Sequence, residues 1–149
     1  MMPSLLERLS TALGAVMTVV EEPDGALTVT VDGSVASLRV VEIAEGLEMV
    51  SLTQPLAWDL PLTNKIRESV TDQATKTMLG TVTLVPKTVA TAANGASATS
   101  SARRSPAKKV ADVLLRYNFP AAGLTDEALR TLILMVLSTG ADVRAALTA

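Results

Sequence analysis

Carboxylates are the first side chains in this sequence whose spacing could support chemistry. Glu42, Glu45 and Glu48 lie close together in the chain, and a group of this kind can bind Mg²⁺ or Ca²⁺. A calcium site takes about six to eight oxygen ligands, however, and the sequence contains no Asp-x-Asp-x-Asp-Gly loop. We therefore predict that the three glutamates are surface charges of a hairpin and that the protein binds no metal ion.

Histidine and cysteine are both absent from the sequence. Their absence excludes Ser-His-Asp and Cys-His catalysis, disulfides, and zinc sites built from thiolates and imidazoles. Catalysis by carboxylates or lysine remains open, but no pair of carboxylates stands apart from the turn and surface acids. We predict a protein that is not an enzyme and that needs no cofactor.

Arg103, Arg104, Lys108 and Lys109 form the basic cluster of the chain. This cluster could tether an anionic partner with salt-dependent affinity. Alternatively, it could be a solvated loop end whose charges prevent pairing along an adjoining strand edge. Because the formal net charge is −2 and aromatic residues make up 2% of the chain, we predict no specific nucleic-acid binding.

The first element expected from the sequence is a helix over residues 4–13. Ser4 and Glu7 have the spacing of a capping box, and leucines at helical spacing follow. Gly14 is the expected left-handed C-cap.

Alternating β-branched residues and turn dipeptides predict four strands, over residues 16–21, 27–31, 38–43 and 47–53. The adjacent Val40 and Val41 indicate a bulge or burial on both faces. Pro55 and Pro61 bracket a segment that we predict to be a connector, with Trp58 anchored in the core.

A second helix is predicted over residues 63–79, where Ile66, Val70 and Ala74 form a single narrow apolar stripe. A strand over residues 81–85, closed by a proline, follows it. The next segment, residues 88–109, is rich in Ala, Thr and Ser without periodicity, which predicts a flexible loop.

A strand over residues 111–119 then places four apolar side chains on its core side: Val113, Leu115, Tyr117 and Phe119. Thr125 is the expected N-cap of a last helix with Asp126 and Glu127 in its first turn. We expect its inward stripe to be Leu129, Leu132, Ile133 and Val136. Other apolar residues cover much of the rest of this helix, which suggests a second subunit or a client protein on that side.

Together these elements predict one α+β domain over residues 1–149. It contains one antiparallel sheet of about five to six strands packed with helices, in the order α-β-β-β(-β)-α-β-β-α. We expect no membrane insertion, since no uncharged apolar run reaches about 18 residues. The start of the chain lacks a signal-peptide pattern, which favours a cytoplasmic protein.

In element order and local pattern the chain resembles the type III secretion chaperone-like fold, and most closely the actinobacterial proteins related to the YbjN family. The resemblance rests on residues 46–53, 56–61, 80–84, 113–120 and 123–125. It covers most of the chain except the insertion at 88–109, where the family commonly has a short turn.

The resemblance implies a small acidic homodimer that binds segments of other proteins and catalyses no reaction. In the secretion chaperones, the helix between the two groups of strands often takes part in dimerisation. By position, the resemblance makes Ile66, Val70 and Ala74 the candidate dimer or partner residues. The apolar pattern of the last helix adds Leu134, Met135 and Leu137 as candidates, with burial under the first helix or the long loop as the alternative. The alternative is a small-molecule or lipid carrier with an apolar pocket between helices and sheet.

Overall fold

The computed structural model describes residues 3–89 and 108–148. Within these ranges the chain is α+β, with three helices and one six-stranded antiparallel sheet. The helices are α1 (Leu5–Gly14), α2 (Asn64–Lys76) and α3 (Asp126–Thr148). The strands are β1 (Thr18–Glu21), β2 (Leu27–Val31), β3 (Ser34–Ala44), β4 (Leu47–Pro61), β5 (Thr81–Val89) and β6 (Lys108–Pro120).

The strand order across the sheet is β1-β2-β3-β4-β6-β5, and every neighbouring pair is antiparallel. The predicted α+β class with one antiparallel sheet is thus confirmed. The central strands β4 and β6 are the longest, and they join the strands before α2 to those after it.

The hydrophobic core lies between the three helices and one face of the sheet. Helix α1 packs against α3 and β1, α2 against β5 and α3, and α3 against β3 and β4. The largest fully buried apolar side chains come from both layers: Leu9, Leu13, Leu27, Leu38, Leu52, Leu115, Leu129, Ile133 and Leu137. Burial of this surface supplies most of the driving force for folding.

Two of the predicted helix starts are confirmed. The Ser4 hydroxyl accepts a hydrogen bond from the Glu7 N–H, and the Glu7 carboxylate accepts one from the Ser4 N–H. At α3, the Thr125 hydroxyl accepts a hydrogen bond from the Ala128 N–H at 3.0 Å. The predicted left-handed cap at Gly14 is wrong, because α1 includes Gly14 and ends in the right-handed conformation of Ala15.

The segment between Pro55 and Pro61 is the second half of β4 rather than a connector. Pairing of β4 with β3 stops at Thr53, whereas pairing with β6 continues to Pro61 with two register shifts. A proline lacks only the N–H of its own residue, and it is tolerated where one edge of a strand is unpaired or bulged. The strand therefore passes through Pro55.

Other predicted boundaries shift as well, among them the start of β3, which moves from residue 38 to Ser34, and the end of α2, which moves from residue 79 to Lys76. Strand β5 continues through Pro86 to Val89, and β6 begins at Lys108, so the ends of the expected 88–109 loop are strand residues. Residues 90–107 lie outside the described part of the chain. The irregularity expected at Val40 and Val41 occurs two residues later, between Glu42 and Ala44.

Helix α3 is long and apolar enough to span a bilayer by length and hydropathy alone, a test that core helices of soluble proteins also meet. Leu129, Ile133 and Val136 are fully buried, and Leu132 packs against the core, which confirms the predicted inward stripe. Leu137 is buried as well, because the sheet and two other helices together cover more than one stripe of α3.

Candidate functional site

The second face of the sheet carries the side chains that alternate with the core residues. No helix in the described part of the chain packs on it. Its centre is formed mainly by small polar and charged side chains that are half-buried or exposed: Thr28, Thr30, Ser37, Arg39, Ser51, Thr53 and Arg116. Most of this face is therefore compatible with contact to water.

An apolar cluster interrupts this polar surface where the β3–β4 hairpin extends beyond the rest of the sheet. We call Val41, Ile43, Leu47 and Met49 the hairpin patch. Val41 lies directly opposite Met49 in the register, and Leu47 shares the face of Met49 because it is two residues away. Ile43 is the extra residue of the bulge between Glu42 and Ala44.

The hairpin patch is exposed although its residues are aliphatic. Val41, Ile43 and Leu47 expose 41%, 62% and 41% of their surfaces, and Met49 is half-buried. Single exposed apolar side chains are ordinary, but neighbouring ones with a polar surround are typical of a binding surface. Val20 and Val35 on the same sheet face are also exposed, but Val41, Ile43 and Leu47 lie together on one hairpin.

The three glutamates singled out in the sequence lie in the same hairpin, with Glu42 and Glu48 on the face opposite the patch. Glu42 and Glu48 lie directly opposite each other across the hairpin, and Glu45 is in the turn. Directly opposed like charges are unfavourable across a strand pair. No ion pair joins them to a basic side chain within residues 3–89 and 108–148. Within the same ranges no three acidic side chains are grouped so that they could hold a metal ion.

The structure places most of the predicted partner residues inside the protein. Val70 is 5% exposed and Leu137 1%, while Ile66, Ala74 and Leu134 are half-buried against the core. The narrow stripe of α2 packs against the core, with Ile66 and Ala74 still partly exposed, and the other faces of α2 are mostly polar. Among the six predicted partner residues, only Met135 is largely exposed.

Of the four residues of the predicted basic tether, only Lys109 has a described side chain. Arg103 and Arg104 lie outside the described residues, and Lys108 is placed only as a backbone position at the start of β6. Lys109 is exposed and is paired with Thr88 of β5.

Trp58 is exposed rather than part of the core, contrary to prediction. Its side chain is 61% exposed, and the Lys87 Nζ lies 5.9 Å from the centroid of its ring. The irregular pairing of β4 with β6 between Pro55 and Leu60 turns Trp58 outward while its neighbour Ala57 stays buried. A tryptophan between two prolines could have signalled an irregular strand, but nothing local shows which way it faces.

A charged cluster that the sequence did not predict lies beside Trp58. Lys87 Nζ is 2.6 Å from Asp59 Oδ1 and 3.0 Å from Asp112 Oδ1, and the Asp59 N–H donates a hydrogen bond to Asp112 Oδ1 at 3.0 Å. Asp59 has φ +55°, a left-handed conformation that Asp adopts more readily than most residues.

These contacts shift the pKa values of Lys87 and Asp112. Hydrogen bonds to Asp59 and then Asp112 raise the pKa of Lys87. The N–H of Asp59, followed by the ammonium of Lys87, lowers the pKa of Asp112. Both groups are therefore charged at neutral pH.

A cleft of about 300 Å³ separates the middle of α3 from the β2–β3 turn. Its walls are partly aliphatic and partly hydroxyl- or carboxylate-bearing: Val31, Asp32, Ser34, Leu134, Leu137, Ser138 and Ala141. This volume is at the lower limit for small-molecule sites. It is the feature that corresponds best to the predicted pocket between helices and sheet.

Comparison with known proteins adds no further assignment. The chain matches no protein-family model and no curated protein.

Proposed function

We propose that this protein is a non-enzymatic adaptor that binds a segment of a partner protein on its hairpin patch. The observation that carries the proposal is the exposed group of Val41, Ile43 and Leu47 on a sheet face that α1, α2 and α3 leave open. The chaperone-like resemblance of the sequence supports the same function.

The edges of the sheet favour docking through side chains over strand addition. Strand β1 at one edge has only four residues. Strand β5 at the other edge contains Pro86 and Lys87. Short edge strands, proline and lysine all hinder the addition of another strand.

The chemistry around the patch indicates an apolar partner segment with basic flanks. Fully burying an aliphatic side chain contributes about 1.5–3 kcal/mol, so three half-exposed ones can support a weak to moderate complex. Glu45 lies in the turn beside the patch and would attract a lysine or arginine next to the apolar segment, with Glu42 and Glu48 on the other face of the same hairpin adding to the negative potential.

The test uses two synthetic peptides that share one aliphatic core, one flanked by lysines and the other by glutamates. We expect the lysine-flanked peptide to bind more tightly, with an affinity that falls as salt is added. The double variant Val41→Thr/Ile43→Thr should lose binding and keep the fold, because both positions are exposed and threonine suits strands.

Met78→Thr is the matched control, since Met78 is an exposed apolar residue outside the patch. The proposal would be contradicted if the control and the double variant bound the peptide equally well, or if the glutamate-flanked peptide bound more tightly.

The molar mass of the same variants, measured by light scattering, tests the homodimer. Because Val70 is buried and Ile66 and Ala74 face the core, a dimer should depend on the hairpin patch or Met135 and dissociate when these are made polar.

A second candidate function is a carrier of a small aliphatic molecule, and the cleft beside α3 favours it. Valine and leucine side chains supply apolar walls, while Ser34, Ser138 and Asp32 can hydrogen-bond one polar end. Native mass spectrometry of the purified protein should then show a bound ligand that Ala141→Leu displaces. A ligand-free spectrum would remove this candidate.

A further inference from the structure

We propose that a depression between the first turn of α2 and the paired ends of β5 and β6 binds a phosphate-type anion. We call it the cationic pocket. It has a volume of about 250 Å³ and is lined by Leu62, Arg67, Pro86, Lys87, Thr88 and Lys109. These residues come from three separate parts of the chain, and only the fold brings them together.

The geometry of the pocket follows from backbone contacts. Thr88 and Lys109 are paired across β5 and β6, and the Leu62 N–H donates a hydrogen bond to the Lys109 carbonyl at 3.3 Å. Thr63 caps α2 through the Ile66 N–H at 3.2 Å, which places Arg67 in the turn beside Leu62. Two cationic side chains, those of Arg67 and Lys109, thus border one small space, while the Lys87 ammonium is held on the other face of the sheet by Asp59 and Asp112.

The charges in this space are unevenly compensated. Asp59 and Asp112 both pair with Lys87, but no carboxylate in the described ranges forms an ion pair with Arg67 or Lys109. No acidic residue lies in the first turn of α2 to offset the positive end of that helix. Neighbouring like charges repel each other, and a bound anion would relieve that repulsion.

The donor set fits a tetrahedral oxyanion. Arginine binds phosphate oxygens in a bidentate manner, lysine contributes a point charge, and the Thr88 hydroxyl can donate a hydrogen bond. Leu62 and Pro86 supply the apolar part of the lining. The volume admits a phosphate together with part of the group that carries it.

The test titrates the full-length chain at low ionic strength with inorganic phosphate, pyrophosphate and phosphoserine, measured by calorimetry. We expect saturable binding that weakens about tenfold or more in Arg67→Gln and in Lys109→Gln, the loss expected for one charge-assisted hydrogen bond. Both residues are exposed, so the variants should unfold at the wild-type temperature.

Lys65→Gln is the control, because Lys65 is an exposed cation in the same turn of α2 that does not line the pocket. If phosphoserine binds most tightly, the natural ligand is a phosphorylated side chain. If pyrophosphate binds most tightly, the natural ligand carries a di- or polyphosphate. If all three compounds bind equally, the natural ligand is the free phosphate ion. The absence of saturable binding to all three, or equal losses in Lys65→Gln, would overturn the proposal.

Discussion

The side-chain amide of Gln54 occupies the space that a side chain at position 140 would need. A Cβ atom built on Gly140 would lie 2.1 Å from Gln54 Oε1. Gln54 is 2% exposed, and its Nε2 donates a hydrogen bond to the Leu137 carbonyl at 3.3 Å. Its Oε1 has no hydrogen-bond partner in the described structure. The contact sets how closely α3 approaches β4.

Gly140→Ala should therefore destabilise the protein by about 1–3 kcal/mol through overpacking, although alanine is intrinsically the better helix former. In a Gln54→Ala background the same change should be neutral or stabilising, because the clash is gone. Chemical denaturation of the four proteins of this double-mutant cycle measures the coupling. Additive effects would show that α3 and β4 are not in contact here.

Arg8 joins α1 to the turn that precedes α3. Its Nε is 2.8 Å from Asp126 Oδ1, its Nη1 donates to the Ala122 carbonyl at 3.2 Å, and its Nη2 donates to the Leu124 carbonyl. We expect Arg8→Lys to lose about 1–2 kcal/mol of stability, since an ammonium cannot reproduce the planar fork of a guanidinium. Thermal unfolding measures the loss, with Arg67→Lys as the control. Equal stability of Arg8→Lys and wild type would contradict this role.

The pairing of Asp112 with Lys87 should make stability depend on pH. The pKa of Asp112 is lowered in the folded state, so its contribution is present above the ordinary aspartate pKa and disappears as pH falls through the lowered value. The pKa of Lys87 is raised, so its contribution is present below the ordinary lysine pKa and disappears as pH rises through the raised value.

Wild type should consequently be more stable than Asp112→Asn across neutral pH. The difference should shrink below about pH 4 and again above about pH 10. Urea unfolding at several pH values checks this, with Asp142→Asn as the control. A difference that stays constant down to pH 2 would show that Asp112 contributes nothing through its charge.

Trp58 is the only tryptophan in the chain, so its fluorescence reports one position. Because the side chain is largely exposed, we expect its emission to resemble that of free tryptophan and to be quenched readily by acrylamide. Trp58→Ala should lower the free energy of unfolding by much less than the loss of about 3–5 kcal/mol that is typical when a buried aromatic side chain is removed. A blue-shifted, protected emission in the monomer would show that Trp58 is buried after all.

Features that depend on residues close together in the chain were predicted correctly. Ser4 and Glu7 cap each other, Thr125 caps α3, and the Asp32-Gly33 turn adopts positive φ at both residues. These choices follow from hydrogen bonds and steric limits within a few residues. Alternation in the last strand likewise indicated its core side correctly, with Val113, Leu115 and Phe119 buried.

Other features depend on contacts between residues that are far apart in the chain, and they could not be predicted. Strand β4 passes through Pro55 because β6 pairs with it after β3 has ended. Leu137 is buried because the sheet and two other helices cover α3, whereas Val41, Ile43 and Leu47 of the β3–β4 hairpin are exposed. The cationic pocket and the Gln54–Gly140 contact join residues far apart in the chain. No local propensity encodes them, since the interactions exist only once the sheet and helices have packed together.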